Sequence, residues 1–125
     1  MERLFILVPV FNEALNIPTL FESFLKLREE LKDSFLLHYI MVDDGSSDET
    51  VEIARKEKKD LDLIVLQHET NIGPGAAFAT GFKYLSQQIS EQDWIITMEG
   101  DNTSRYELIK QMLIRSQEGF DIVLA

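Results

Sequence analysis

The sequence contains no cysteine, and its 12 basic residues are outnumbered by 22 acidic ones. Without cysteine the chain forms no disulfides and no thiolate metal sites such as zinc ribbons. The formal charge of −10 would repel a phosphate backbone, so we expect no nucleic-acid partner. No apolar run approaches the ~20 residues that span a bilayer, and the N-terminus lacks the features of a signal peptide. We therefore expect a soluble domain that faces the cytoplasm.

The 125 residues suit one compact domain with a single hydrophobic core. Hydrophobic residues make up 45% of the sequence and charged residues 27%, which is the balance of an ordinary globular domain. The last six residues form the apolar run FDIVLA, which stops abruptly. The sequence thus predicts a single domain over residues 1–125 that is truncated at its C-terminus.

Short apolar runs alternate with segments of helical spacing along the whole chain. Runs rich in Val and Ile are typical of strands that are buried on both faces of a parallel sheet. They occupy residues 4–10, 37–42, 61–67, 94–98 and 121–124. Together with four intervening helices they predict an α/β fold, with an open, mainly parallel sheet and helices on both faces.

Two apolar stripes and three start signals define the predicted helices. One stripe comprises Ile17, Leu20, Phe21, Phe24, Leu25 and Leu31, and the other comprises Phe78, Phe82, Leu85 and Ile89. Two pairs fit a capping box, Ser46 with Glu49 and Ser104 with Glu107. Asn16, followed closely by Pro18, suits a first helical turn.

Acidic side chains follow three of the predicted strands. Because ligands of such folds bind outside the carboxyl ends of the strands, we expect these side chains to share one edge. They are Glu13, Asp43, Asp44, Glu99 and Asp101. Two carboxylates about 5 Å apart repel by roughly 3 kcal/mol, so the cluster should raise some pKa values or hold a cation. Without Cys or His ligands, Mg²⁺ or Mn²⁺ is favoured; the alternative is a set of polar, helix-capping turns.

Residues 71–77 follow the third strand and open a helix, where free amides would suit an anion. The loop is not a dinucleotide-binding fingerprint, because Phe78 stands where a third glycine or alanine belongs and the loop follows the third strand rather than the first. We interpret His38 and His68 as packing or rim residues and assign neither of them a role.

Four segments in order resemble the signatures of family-2 glycosyltransferases, a group with the GT-A fold that includes dolichyl-phosphate sugar synthases. They are VPVFNEALNI, VDDGSSDET, NIGPGAAFATG and MEGD. The resemblance implies that Asp44 reads the base or ribose of a nucleotide sugar and that Asp101, with Glu99, meets a metal ion. The other nucleotide-sugar-binding residues that it implies are Pro9, Asn12, Glu13, Asp43, Asn71, Gly73 and Gly75, with Glu99 again among them.

The chain departs from the family pattern at two positions. Glu99 occupies the first acidic place of what is usually an Asp-x-Asp motif, which puts its role as a ligand in doubt. Pro74 stands between glycines where many members carry Lys or Arg. A metal ion should therefore matter more in this chain.

By resemblance, a metal would offset charge on a leaving UDP or GDP while an acceptor attacks the anomeric carbon with inversion. The catalytic base and the acceptor side are expected beyond residue 125, so neither is assigned. Any membrane association would come through that missing C-terminal part, which would place the full-length protein in the cytoplasm or on the cytoplasmic face of a membrane.

The sequence leaves three alternative functions, two of which it disfavours. A module of the same fold would bind nucleotide or a partner without catalysis if Glu99 and Pro74 have eroded the site. A receiver domain of signalling systems is disfavoured because its paired acids follow the first strand, whereas Asp43 and Asp44 follow the second. A nucleotidyltransferase is disfavoured because no glycine-rich basic loop follows the first strand.

Overall fold

The computed structural model describes residues 1–99, which form four strands and three helices in alternation. In chain order they are β1 (Glu2–Val10), α1 (Ile17–Leu31), β2 (Phe35–Asp43), α2 (Thr50–Glu57), β3 (Leu63–Gln67), α3 (Pro74–Ser86) and β4 (Trp94–Thr97). The four strands match the first four predicted ones to within about two residues at each end. The predicted strand at 121–124 and the capping box of Ser104 and Glu107 lie outside the described residues.

The sheet is parallel throughout, with strand order β3-β2-β1-β4. Val10 pairs with Asp43, and Asp43 pairs with Gln67. Because these three residues are level, the loops that follow β1, β2 and β3 leave the sheet side by side.

Helices cover both faces of the sheet, as predicted. Leu4 and Ile6 of β1 pack in the cluster that contains α1, whereas Phe5 and Leu7 pack in the cluster that contains Ala77 and Leu85 of α3. Successive side chains of a strand point to opposite faces, so this alternation places β1 between two hydrophobic layers. The predicted α/β class with a doubly covered parallel sheet is confirmed.

The apolar stripe of α1 differs from the predicted stripe at one position. Leu25 is 37% exposed, while Leu27 is fully buried. A helix turns by about 100° per residue, so Leu25 is rotated away from the face centred on Phe24, and Leu27 lies three residues further along that face. Pro18 stands in the first turn of α1, as the sequence predicted.

Small residues, rather than the predicted large ones, set the contact between α3 and the sheet. Ala77 and Gly81 are buried with Leu85, but Phe82 is 45% exposed. A Cβ added at Gly81 would lie 2.2 Å from Cδ1 of Leu7. The helix therefore approaches β1 too closely for a large side chain, which is why Phe82 is displaced from the buried stripe.

Within residues 1–99, no helix combines the length and the apolar character that crossing a bilayer requires.

Replacing Gly81 by Ala should lower the free energy of unfolding by about 1–3 kcal/mol, because the new methyl group overlaps Leu7. Urea denaturation measures the difference. Gly75→Ala in the same helix is the matched control, since no atom lies within 4 Å of its added Cβ and its stability should be unchanged or slightly raised. Equal stabilities of the two variants would contradict the close approach of α3.

Candidate functional site

A cavity of about 450 Å³ opens at the carboxyl edge of the sheet, between the loops that follow β1 and β3. Its apolar walls come from Val10, Phe11, Pro74, Ala77 and Phe78. Of the predicted site residues, it is lined by Pro9, Glu13, Asp44, Asn71, Gly73 and Glu99. Asn12, Asp43 and Gly75 are not among the lining residues, and Asp101 lies outside the described part of the chain.

The carboxylate of Asp44 is the most heavily hydrogen-bonded group at this edge. Oδ1 accepts from the backbone N–H of Ile72 at 3.0 Å and lies 2.8 Å from Nδ1 of His68. Oδ2 accepts from the backbone N–H of Gly73 at 2.8 Å and from Nδ2 of Asn71 at 2.9 Å. Four protein groups thus occupy the carboxylate, which is only 5% exposed. Direct reading of a base or ribose by Asp44 stays a prediction, since a ligand would have to displace one of these bonds.

The pKa of Asp44 reflects these contacts. Burial raises the pKa of the carboxyl, but the hydrogen bonds from His68, Ile72 and Gly73 outweigh burial and hold the pKa below the ordinary value of 3.8. This direction is opposite to the one expected for mutual repulsion within an acidic cluster. Asp44 is therefore a stable anion whose charge is compensated by donors of the protein.

Asp43 and Ser46 close the turn after β2. Asp43 is fully buried, and its carboxylate accepts from the backbone N–H and the hydroxyl of Ser46 at 3.0 and 2.5 Å. The predicted capping box is wrong at this position, because α2 begins only at Thr50 and its N-cap Glu49 makes no side-chain cap bond. The hydroxyl of Ser46 is engaged by Asp43 and by the first loop instead.

Asn12 and Glu13 fasten the first loop to the second. Asn12 adopts a left-handed backbone with φ of 52°, donates its N–H to Oγ of Ser46 at 2.8 Å and accepts from the N–H of Ser47 at 2.8 Å. Glu13 donates its N–H to Oγ1 of Thr50 at 2.9 Å. Asn12 therefore shapes the edge from outside the cavity, whereas Glu13 also lines it.

The third loop rests on the second through backbone contact. Gly45 has φ of +74°, and a Cβ at this position would lie 2.3 Å from the carbonyl carbon of Thr70. Gly73, with φ of +127°, is the N-cap of α3, and Pro74 and Gly75 form the start of its first turn. Gly75 is thus in the first turn of α3, where backbone N–H groups generally have no acceptor one turn earlier and suit an anion.

Acidic groups dominate the polar lining of the cavity. Within residues 1–99 the lining contains Glu13, Asp44 and Glu99 and no Lys or Arg. The carboxylates of Glu13 and Glu99 are hard oxygen donors of the kind that Mg²⁺ and Mn²⁺ prefer. No group of three or more His, Asp or Glu side chains in the described residues is close enough to hold an ion. The donor chemistry therefore fits a divalent cation, but the described residues do not supply a complete ligand set.

His68 makes two contacts at this edge that the sequence interpretation did not predict. Its ring joins Asp44 to Thr80, with Nε2 lying 2.7 Å from Oγ1 of Thr80. The position of His68 directly after β3 was the available signal, because it places the ring at the same edge as Asp44. His38 lies in β2 away from this edge and pairs with Asp62 at 2.7 Å.

The family model described as "Glycosyl transferase family 2" matches residues 5–125. The chain belongs to this family. The match confirms the resemblance that the four segments carry, and it includes every residue around the cavity.

Relatives of the family resemble the chain over almost its whole length. The undecaprenyl-phosphate 4-deoxy-4-formamido-L-arabinose transferase of Salmonella choleraesuis is 30% identical over 98% of the chain. TarS from S. aureus, crystallised in complex with UDP-GlcNAc, is 28% identical over 93% of the chain, with a TM-score of 0.70. The chain spans 36% of the first protein and 31% of the second, about a third of each.

A more distant structural neighbour shows the same architecture. The glucosyl-3-phosphoglycerate synthase of Mycobacterium tuberculosis, crystallised with Mn²⁺, UDP and glucosyl-3-phosphoglycerate, is 19% identical, with a TM-score of 0.64. It covers 96% of this chain, which spans 41% of that protein. The likeness confirms the GT-A arrangement of the sheet and its helices.

Asp44→Asn should lower the free energy of unfolding at pH 7 by about 2–3 kcal/mol, because the amide nitrogen would face donors that now meet a carboxylate oxygen. Urea denaturation measures the loss. Asp60→Asn is the control, since Asp60 is 78% exposed in its pair with Arg28 and its loss should change stability by no more than about 0.5 kcal/mol. Equal effects of the two substitutions would contradict the role of Asp44.

The difference between the parent and Asp44→Asn should depend on pH in one direction. Because folding lowers the pKa of Asp44 below 3.8, its stabilising effect is complete well above pH 3.8 and is lost as the pH falls through the folded-state pKa. In denaturation curves at pH 7, 5 and 3, the difference in stability between the two proteins should therefore be similar at pH 7 and 5 and smaller at pH 3. A difference that grows on acidification would refute this assignment.

Proposed function

We propose that this chain is the donor-binding part of a glycosyltransferase and that it binds a UDP-linked sugar in the 450 Å³ cavity. One observation carries the proposal: residues from all four family segments border this one cavity. The volume lies within the usual range for small-molecule sites. The 28% identity to TarS, whose crystals contain UDP-GlcNAc, favours uridine over guanosine as the base.

The walls and the polar groups of the cavity suit different parts of this donor. Phe11 is 43% exposed and, together with Phe78, offers aromatic surface to a planar base. The amide of Gly75, which follows the lining residue Pro74 in the first turn of α3, would bind a phosphate at the margin of the cavity. Glu13, whose Oε2 also accepts from Nδ2 of Asn16 at 2.6 Å, would accept from sugar hydroxyl groups.

A divalent cation, Mg²⁺ or Mn²⁺, completes the proposed site. The diphosphate is negatively charged, and the described lining holds three carboxylates and no Lys or Arg. Glu99 and Asp101 would hold the ion, which supplies charge neutralisation to the leaving diphosphate when bound. The presence of Mn²⁺ and UDP together in the M. tuberculosis protein of similar fold supports this choice.

The transfer step and the acceptor belong to the whole protein. We expect inversion at the anomeric carbon, with the catalytic base and the acceptor site supplied beyond residue 125. The undecaprenyl-phosphate named for the Salmonella relative suggests a polyprenyl phosphate as the acceptor. Such an acceptor would hold the full-length protein at the cytoplasmic face of a membrane.

Calorimetric titration with UDP and UDP-GlcNAc, with and without Mn²⁺, tests the donor site. We expect binding that is much tighter with Mn²⁺ than without it, and Asp101→Ala should weaken the binding in Mn²⁺ at least about tenfold, which corresponds to roughly 1.4 kcal/mol. Asp60→Ala is the control, because Asp60 pairs with Arg28 on the surface and should leave the affinity unchanged. Absence of binding to both ligands in Mn²⁺ would refute the proposed function, and an unaltered affinity of Asp101→Ala would refute the metal assignment.

Pro74→Lys should tighten the binding of UDP without metal by roughly fivefold, because the ammonium group would replace part of the missing positive charge near the diphosphate. Pro74→Gln is the matched control, with similar length and no charge, and it should show no gain. The same titration in EDTA measures both variants. Equal affinities of the Lys and Gln variants would show that charge at this position is irrelevant.

A further inference from the structure

A continuous side-chain network links the end of β2, the end of β3 and the middle of α3. Nδ1 of His68 lies 2.8 Å from Oδ1 of Asp44, and Nε2 lies 2.7 Å from Oγ1 of Thr80. The side chain of His68 is 12% exposed and that of Asp44 is 5% exposed. From this geometry we infer that His68 is a positioning residue of the nucleotide site, which fixes Asp44 and through it the loop that borders the cavity.

The two hydrogen-bond partners of His68, Asp44 and Thr80, indicate which ring nitrogen carries the proton. An ionised carboxylate only accepts, so the hydrogen lies on Nδ1 and is donated to Asp44. In the neutral ring Nε2 then accepts from the hydroxyl of Thr80. Both ring nitrogens are used, and the ring is held in one orientation between two elements.

The contact between His68 and Asp44 affects the cavity because Asp44 also binds the loop that borders the cavity. That carboxylate holds the N–H groups of Ile72 and Gly73 and the amide of Asn71. Asn71 and Gly73 line the cavity, and Gly73 caps α3. Without His68, Oδ1 would lose one of its two donors, and Thr80 would lose its tie to the sheet. The loop and the first turn of α3 would then no longer be held in one arrangement before the ligand arrives.

The chain contains a second pair of the same chemistry that serves as a control. Nδ1 of His38 lies 2.7 Å from Asp62, but Asp62 is 62% exposed and precedes β3, at the opposite end of the sheet. His38 also stacks on Phe5 and borders no part of the cavity. His38→Ala therefore removes a histidine–aspartate contact of similar length without touching the proposed site.

The inference rests on the proposed nucleotide site, so its experiment has one readout that needs no ligand. For the parent, His68→Ala, His68→Asn, Thr80→Val and His38→Ala, we would measure the affinity for UDP in Mn²⁺ and the hydrogen-exchange rates of the amides of Ile72 and Gly73. Asn is the conservative variant, because its amide nitrogen stands near the position of Nδ1 and can still donate to Asp44. Thermal unfolding identifies any variant that fails to fold.

We expect His68→Ala to weaken UDP binding about tenfold and to speed exchange at Ile72 and Gly73 by a similar factor, since a group with two partners is lost. His68→Asn should restore most of both, and Thr80→Val should show an intermediate loss. His38→Ala should match the parent in both readouts. His68 also borders a smaller cavity of about 220 Å³, which gives water a route to Asp44 in His68→Ala and favours survival of the fold.

The outcomes separate the two claims. Unchanged exchange at Ile72 and Gly73 in both His68→Ala and Thr80→Val would overturn the positioning role, as would equal effects of His68→Ala and His38→Ala. If the parent binds no UDP but its loop exchange still depends on His68, the proposed ligand is wrong and the fixing of the loop stands. If His68→Ala does not fold, Thr80→Val decides by the same two readouts.

Discussion

The carboxylate of Asp44 holds the carboxyl edge of the sheet together. It lies at the end of β2, the strand between β1 and β3, and it binds the third loop at Ile72, Gly73 and Asn71. Hydrogen bonds to a charged group are stronger than neutral ones, and burial keeps water from replacing them. Since the first loop is fastened to the second through Asn12, the shape of the cavity depends on this one acidic side chain and its donors.

The proposed site would place an anion in a chain whose net charge is −10. The negative charge of Asp44 does not oppose this, because hydrogen-bond donors of the protein compensate it. The described lining holds three carboxylates and no Lys or Arg. We therefore propose that a diphosphate binds in this cavity together with a cation.

Sequence patterns were sufficient for the features that depend on local composition. The apolar runs located β1 to β4, and the family segments located the loops at their ends. Sequence patterns failed where a contact between distant elements determines which side chain is buried or which hydrogen bond it forms. Gly81 rather than Phe82 faces β1 because the helix packs closely on Leu7, and Ser46 bonds Asp43 and Asn12 instead of capping α2. The contacts of His68 could not be predicted from local sequence, because they depend on how β2, β3 and α3 bring Asp44 and Thr80 to its two ring nitrogens.

The most direct test of the account is to locate the bound nucleotide. A ¹⁵N-labelled chain titrated with UDP in Mg²⁺, which does not broaden resonances as Mn²⁺ does, would report each backbone amide separately. We predict saturable shifts that are largest at Phe11, Asn71, Ile72 and Gly73, with none at His38 or Asp62 at the opposite end of the sheet. Shifts centred on that opposite end would contradict the proposed site. So would the absence of saturable shifts at UDP concentrations well above the dissociation constant from calorimetry.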